Sequence, residues 1–146
     1  MLRRQTTWTS AFDLTTIGFG FRPSRDEAAV TEIAGRVRGK KAIVGDDVIM
    51  TGGTMLANVR ALVENGVDEV WLYATHGLFC DDSLERFADS EPIKGIVVTD
   101  TVPIDPLAKP EKLTVLPVSG LLAETIMNVF ADDSVSAIFG GENQLF

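Results

Sequence analysis

Two adjacent acids and a glycine-rich turn are the residues of this sequence most suited to chemistry. Asp46 and Asp47 follow an apolar run at 42–44, and after a gap of three residues comes TGGT at 51–54. Carboxylates accept hydrogen bonds from sugar hydroxyls and can bind Mg²⁺, a cation that prefers oxygen ligands. A turn that opens a helix presents backbone N–H groups that suit a phosphate. The stretch therefore predicts a site for a phosphorylated sugar.

Residues 51–54, which we call the TGGT turn, are of types that fit an anion. Gly52 and Gly53 have no Cβ, so a phosphate can approach the backbone and a positive φ costs little. Thr51 and Thr54 can donate from their hydroxyls, and we expect Thr54 to cap the following helix. An ordinary tight connection between a strand and a helix, flanked by two solvated acids, is the alternative interpretation.

Strands and helices alternate along the chain that carries this turn. We predict strands at 13–19, 41–44, 70–74, 93–99 and 113–116, and helices at 27–36, 55–64, 81–88 and 119–130, the last capped by Ser119. The alternation predicts an α/β fold in three layers, with a mostly parallel sheet flanked by helices. We expect the strand at 41–44 to be buried on both faces. Asp46, His76 and Asp100 fall at predicted strand ends, where such sheets bind ligands.

Composition limits the classes of function. The chain has 146 residues, enough for one domain with a sizeable core, and a net charge of −8 that argues against nonspecific binding to nucleic acid. The single Cys80 excludes an internal disulfide framework and fits a reducing, cytoplasmic compartment. No apolar run approaches the roughly 20 residues of a membrane span, so we expect no membrane partner.

Three other residues give less specific signals. His76 is the only histidine and has the right chemistry for a general acid or base, but we interpret it as a structural or contact residue. Cys80 is interpreted as a small core or loop residue. Trp71 is interpreted as part of the sheet packing.

Taken together, the motifs resemble those of the ribose-phosphate pyrophosphokinase (PRPP synthetase) family. The apolar strand, acid pair and TGGT turn resemble the PRPP-binding motif of the type I phosphoribosyltransferase fold. Four further segments resemble family motifs in order and spacing: YATHG at 73–77, VVTDTVP at 97–103, LLAETI at 121–126 and SVSAIF at 134–139. The resemblance extends from about residue 14 to residue 139 and lies with the C-terminal half of the family enzymes.

The resemblance implies a ligand and an organisation for this chain. Residues 1–12 would be a divergent segment, and 13–146 a single phosphoribosyltransferase-like domain truncated at its N-terminal side. Thr51, Gly52, Gly53 and Thr54 would bind the phosphate of ribose 5-phosphate or PRPP. Asp46 and Asp47 would bind the ribose hydroxyls and the cofactor Mg²⁺. The family reaction transfers pyrophosphate from ATP to ribose 5-phosphate in nucleotide biosynthesis, and we expect the nucleotide-binding half to be missing here.

One departure from the family concerns catalysis. A mobile loop of the type DKRRP aligns with residues 19–23, where Gly20 replaces the lysine and Phe21 replaces an arginine. Arg22 is then the remaining catalytic candidate, and we expect the isolated chain to be inactive. Met50 stands where the synthetases commonly have a third acid.

Several functions stay open on the sequence alone. The chain can be a synthetase-family domain, a noncatalytic regulatory subunit of a complete synthetase, or a phosphoribosyltransferase acting on a base. The last lacks a recognisable base-binding hood. Because a truncated sheet exposes a strand edge that can pair with another chain, we expect a homo-oligomer or a complex with a full-length synthetase.

Overall fold

The computed structural model describes residues 17–21, 29–34 and 37–139. Its strands are β1 (Ile17–Phe21), β2 (Ala29–Ala34), β3 (Lys41–Ile49), β4 (Glu69–Gly77), β5 (Ile93–Thr99) and β6 (Leu113–Leu116). Its α-helices are α1 (Gly53–Glu64), α2 (Ser83–Asp89) and α3 (Ser119–Phe130), and 3₁₀ turns form at Pro106–Ala108 and Val135–Phe139. Within these ranges, no helix has the length and apolar character needed to cross a membrane.

Four strands form a parallel sheet in the order β3-β4-β5-β6. Parallel neighbours need a crossover connection, and α1 and α2 supply it between β3 and β4 and between β4 and β5. The predicted α/β fold with a parallel sheet is therefore confirmed. This arrangement brings the carboxyl ends of β3, β4 and β5 to one edge of the sheet, where the TGGT turn, His76 and Asp100 follow or end these strands.

One face of the sheet carries the core. Alternate residues of the strands are buried with one side of α1 and with Phe87 of α2; they include Val44, Val70, Leu72, Ile96, Met55, Val59 and Leu62. On the other face the Trp71 ring lies over Gly95 and the Tyr73 ring over Gly45. A Cβ on either glycine would collide with the aromatic ring. Trp71 therefore packs on the sheet as interpreted, although it is 41% exposed.

Three predictions about the strands are wrong. Strand β3 is buried on one face only, since Lys41 is exposed and Ile43 half-buried, and it continues to Ile49 rather than ending at 44. The helix predicted at 27–36 is replaced by β2, which pairs antiparallel with β1. Val30, Thr31 and Ile33 are β-branched, and such residues favour strands over helices. Of the strand predicted at 13–19, residues 13–16 lie outside the described residues.

The chain divides into two compact units, the first ending at Leu116 and the second beginning at Pro117. In the second unit α3 has the predicted bounds, but its N-cap is Val118, and Ser119 is the first helical residue rather than the cap. Several apolar side chains of α3 are exposed, including Met127 at 71% and Phe130 at 87%. The interpretation of 13–146 as one domain stays a prediction.

Candidate functional site

The TGGT turn connects β3 to α1 through a left-handed residue. Gly52 is the N-cap of α1 and has φ +70°, a conformation that glycine adopts without penalty. The backbone N–H of Leu56 donates to the Gly52 carbonyl at 2.9 Å, which starts the helical hydrogen bonding. The N–H groups of Gly53, Thr54 and Met55 precede this bond and have no acceptor within the helix. They lie at the end of the helix where the sequence analysis predicted an anion site, and that role stays a prediction.

Thr54 does not cap the helix. It is the second residue of α1, and the N-cap Gly52 has no side chain that could make a capping hydrogen bond. The expectation that Thr54 caps α1 is therefore wrong, because the helix begins at Gly53, one residue before Thr54. The hydroxyl of Thr54 lies in the first turn of the helix, beside its N–H groups.

The carbonyls of Ile49 and Met50, which precede the turn, face one segment of the chain. The Ile49 carbonyl accepts from the N–H groups of Leu78 and Phe79 at 2.9 and 3.2 Å. The Met50 carbonyl accepts from the Cys80 N–H and from Ser83 Oγ, both at 3.0 Å. Because the C=O and N–H of a trans peptide point in opposite directions, these bonds turn the following N–H groups away from this segment.

Helix α2 extends this support along the turn. Arg86 Nη2 donates to the Thr51 carbonyl at 2.7 Å, and Arg86 Nε pairs with Asp82 Oδ1 at 2.8 Å. Phe87 is fully buried, and its ring fills the space where a Cβ on Gly52 would lie. Ser83, Arg86 and Phe87 stand at i, i+3 and i+4, so they share one face of the helix. They contact Met50, Thr51 and Gly52 in sequence order.

The two glycines of the turn have different surroundings. Gly52 can have no Cβ, because of both its positive φ and its contact with Phe87. Gly53 has neither restriction, since a Cβ there would have no atom within 4 Å. This open space at Gly53, the first residue of α1, leaves room for a ligand. The sequence analysis gave both glycines the same role, whereas in the structure only Gly52 contacts Phe87.

The two acids lie inside β3 rather than beyond its end. In the register with β4, Asp46 pairs with Ala74 and Val48 with His76, so the strand continues past both acids. Asp46 Oδ1 accepts from the Asp47 N–H at 2.8 Å. Asp47 is exposed and Asp46 half-buried. Successive side chains of a strand point to opposite faces, so the two carboxylates flank the strand from different sides.

Hydroxyls and one imidazole cluster at the ends of β4 and β5. Thr99 Oγ1 donates to the Thr75 carbonyl at 2.7 Å, and Thr101 Oγ1 lies 2.9 Å from Thr99 Oγ1. His76 Nδ1 lies 2.7 Å from Thr101 Oγ1, which fixes the imidazole beside the strand ends. The sequence placed these residues at strand ends but did not predict their network. The T-x-T spacing of Thr99 and Thr101 is the one signal that could have indicated it.

A cavity of about 600 Å³ lies on the side of α2 that faces away from the TGGT turn. Leu78, Leu84, Ile104 and Leu107 contribute to its walls, and none of the residues at 46, 47 or 51–54 does. The predicted phosphate site thus lies outside this cavity. Catalytic candidate Arg22 lies outside the described residues, and the aligned residues Phe19, Gly20 and Phe21 belong to β1 instead of a loop.

Comparison with known proteins gives concordant matches. The family model described as the phosphoribosyl synthetase-associated domain matches residues 22–140. A ribose-phosphate pyrophosphokinase from Caldanaerobacter subterraneus subsp. tengcongensis is 42% identical over 118 residues, which cover 81% of this chain and 37% of that protein. One from Shewanella oneidensis is 42% identical over 119 residues, covering 81% and 38%.

A solved structure agrees with the sequence matches. The phosphoribosylpyrophosphate synthetase from Mycobacterium smegmatis superimposes with a TM-score of 0.67 and 37% sequence identity. The match covers 79% of this chain and 37% of that one. The chain therefore spans somewhat more than a third of the length of these relatives.

Proposed function

Since the chain belongs to the phosphoribosyl synthetase-associated family, we propose that it is a ribose-phosphate-binding domain of the PRPP synthetase type. Its ligand would be ribose 5-phosphate or PRPP, bound together with Mg²⁺. Members of this family are transferases of nucleotide biosynthesis. The chain matches about 37% of the length of its relatives. We therefore limit the proposal for the described residues to ligand binding, which is one part of the family activity.

The support for phosphate binding is the conformation of the TGGT turn. Three consecutive carbonyls, those of Ile49, Met50 and Thr51, are turned toward residues 78–86 and hydrogen-bonded there. These bonds direct the N–H groups of Met50, Thr51 and Gly52 away from that segment. The adjoining N–H groups at the start of α1 form a positive end suited to an anion. A phosphate seated over Gly53 would also meet the Thr51 and Thr54 hydroxyls. This geometry is the observation that carries the proposal.

Asp46 and Asp47 would hold the other end of the ligand. A ribose ring seated beside the C-terminal part of β3 would meet the carboxylate on one side of the strand or the other, and its vicinal hydroxyls are donors that carboxylates accept. Such an arrangement places the sugar between the acids and the phosphate over the turn.

Mg²⁺ fits these residues if the ligand completes its coordination. Within the described ranges, no three His, Cys, Asp or Glu side chains converge on a possible metal. The protein would therefore offer at most the carboxylates of Asp46 and Asp47. Mg²⁺ is usually held by one or two carboxylates together with water and substrate phosphates. When bound, it would neutralise part of the negative charge of those phosphates.

A titration with ribose 5-phosphate tests the proposal. Calorimetry on the wild type should show saturable binding, and Gly53→Val should weaken it by about tenfold or more, because the branched side chain occupies the open space over the N–H groups. The matched control is Gly120→Val, since Gly120 lies in the first turn of α3 and also has open space around its Cβ position. Equal affinity in the wild type and Gly53→Val would contradict the assignment of the phosphate site.

We further propose that the isolated chain makes little or no PRPP. Gly20 and Phe21 stand where the resemblance implies a lysine and an arginine, and loss of a cation aimed at the transferred group costs orders of magnitude in rate. The assay is AMP release from ATP and ribose 5-phosphate with Mg²⁺ at high protein concentration. Turnover of roughly 1–100 per second, typical of kinases, would show that this proposal is wrong.

A noncatalytic subunit is the second function that we propose, favoured by Gly20 and Phe21. Strand β3 is an outer strand of the described sheet, and an outer strand can pair with another chain. Association with itself or with a full-length synthetase would meet this expectation. A monomeric mass in light scattering, both alone and after mixing with a complete synthetase, would argue against it.

A further inference from the structure

Helix α2 supports the TGGT turn through three side chains on one face. Ser83, 0% exposed, donates to the Met50 carbonyl, Arg86 donates to the Thr51 carbonyl, and the buried Phe87 ring packs against Gly52. The three contacted residues are consecutive: Met50 directly precedes the TGGT turn, and Thr51 and Gly52 begin it. The match between these consecutive residues and one helical face means that α2 helps to set the orientation of their peptides, together with the Cys80 N–H that also donates to Met50.

From these contacts we infer that α2 is the template for the anion-binding conformation of the turn, and that Arg86 is a positioning residue for the phosphorylated ligand. The inference deepens the proposed function and rests on it. Arg86 acts through the Thr51–Gly52 peptide. By holding the Thr51 carbonyl, its guanidinium turns the Gly52 N–H toward the position of the phosphate.

The geometry of Arg86 suits this role. Its Nε–H is held by Asp82 at 2.8 Å, and this bond fixes the plane of the guanidinium while Nη2 reaches Thr51 at 2.7 Å. A charged donor on a peptide carbonyl polarises that peptide and makes its N–H a better donor. The side chain is 41% exposed, so it is not needed to fill the core. Its bond to Thr51 can therefore be removed while the fold persists.

The opposing interpretation is that Arg86 makes only a surface ion pair with Asp82. Such i,i+4 pairs contribute little to a protein, and this pairing by itself does not require the contact with Thr51. The two interpretations differ in what happens to the turn when Arg86 is replaced. A surface pair predicts no change in the turn, and a positioning role predicts a change at Gly52.

Three variants separate these interpretations in a titration with ribose 5-phosphate. Arg86→Gln should raise the dissociation constant about tenfold, the loss expected for a charged hydrogen bond. Arg86→Lys, which keeps one charged donor, should recover part of it and bind about threefold more weakly than the wild type. The control Arg60→Gln removes the same charge from an exposed position of α1. It should change affinity by less than about twofold, because salt screens distant charges.

A second measurement needs no ligand. In the free protein, Arg86→Gln should shift the amide resonance of Gly52 and speed its hydrogen exchange, with a melting temperature close to that of Arg60→Gln. An unmoved Gly52 amide overturns the inference even if affinity falls, since the guanidinium would then contact the ligand directly. Affinity equal to that of Arg60→Gln also overturns it. If the wild type binds no ribose 5-phosphate, the proposed function fails, and the Gly52 amide alone decides whether Arg86 positions the turn.

Discussion

The N-termini of α1 and α3 differ in the backbone that precedes them. Each helix has 12 residues, no acid in its first turn and no side-chain cap. Each also begins with a similar bond, from Leu56 to Gly52 at 2.9 Å and from Leu122 to Val118 at 3.0 Å. The N-cap of α1 is a left-handed glycine at φ +70°, whereas that of α3 is Val118 at φ −99° and ψ −5°.

This comparison distinguishes the effect of the helix dipole from the effect of the hydrogen bonds that hold the TGGT turn. The dipole is common to both helices, because it depends on the aligned peptides of the helix itself. The three anchored carbonyls of residues 49–51 precede α1, whereas before α3 the Leu116 carbonyl accepts from the N–H of Asp100 at 3.0 Å. A helix N-terminus therefore becomes a candidate phosphate site through the backbone in front of it, and substitutions near the two helix starts can test this.

The largest effect is expected at Gly52. Gly52→Ala should lower the free energy of unfolding by about 2–3 kcal/mol, because alanine is disfavoured at positive φ and its Cβ would displace the buried Phe87 ring. Gly120→Ala in α3 should be neutral or stabilising by up to about 1 kcal/mol, since alanine has the higher helix propensity. Urea denaturation of both variants measures the difference. Equal losses at the two glycines would remove the distinction between the two helix starts.

A smaller effect is expected at the serine beneath the turn. Ser83→Ala deletes a buried hydroxyl that donates to the Met50 carbonyl, so the free energy of unfolding should fall by about 1 kcal/mol. The affinity for ribose 5-phosphate should fall a few-fold with it. Ser119→Ala, at the first residue of α3, should stay within about 0.5 kcal/mol of the wild type, as exposed substitutions usually do. Identical unfolding curves for the two variants would show that Ser83 does not support the turn.

The smallest effect concerns inorganic phosphate, a weak probe that requires no substitution. Titration should shift the amide resonances of Gly53, Thr54 and Met55 and leave those of Ser119 and Gly120 nearly unchanged. The expected free energy is modest, on the order of 1 kcal/mol or less, because a helix dipole acts weakly at an exposed site. Equal shifts at both helix starts would mean that the dipole alone attracts the anion.

Local pattern predicted much of the fold. The bounds of β5, β6 and α3 agree with the sequence analysis, and α1 begins two residues earlier than expected, at Gly53. Periodic apolar residues define such elements without reference to distant parts of the chain. The replacement of a predicted helix by β2 shows the limit of this reasoning, because pairing with β1 and β-branched composition together decided the structure there.

The residues of the candidate site were predicted from their types, but the contacts that hold the turn in place were not predicted. Asp46, Asp47 and the TGGT turn were identified from their spacing, and their roles as ligand contacts stay predictions. The contacts of Ser83, Arg86 and Phe87 with the turn were not foreseen, since they join residues more than thirty positions apart. No periodicity within either segment encodes such a pairing. The extension of β3 through two acids was missed for a related reason, because propensity disfavours aspartate in strands and pairing with β4 overrides it.

The anchoring of the turn by α2 also has a consequence in time. The bonds from Ser83 and Arg86 to the turn span 33 and 35 residues of chain, and contacts of such separation form only after the intervening loop has closed. During synthesis, the sequence TGGT leaves the ribosome well before the helix that shapes it. The proposed anion-binding conformation of the TGGT turn would therefore be absent from a nascent chain that ends before residue 87. A ribose-phosphate ligand would then stabilise only later, more complete folding intermediates.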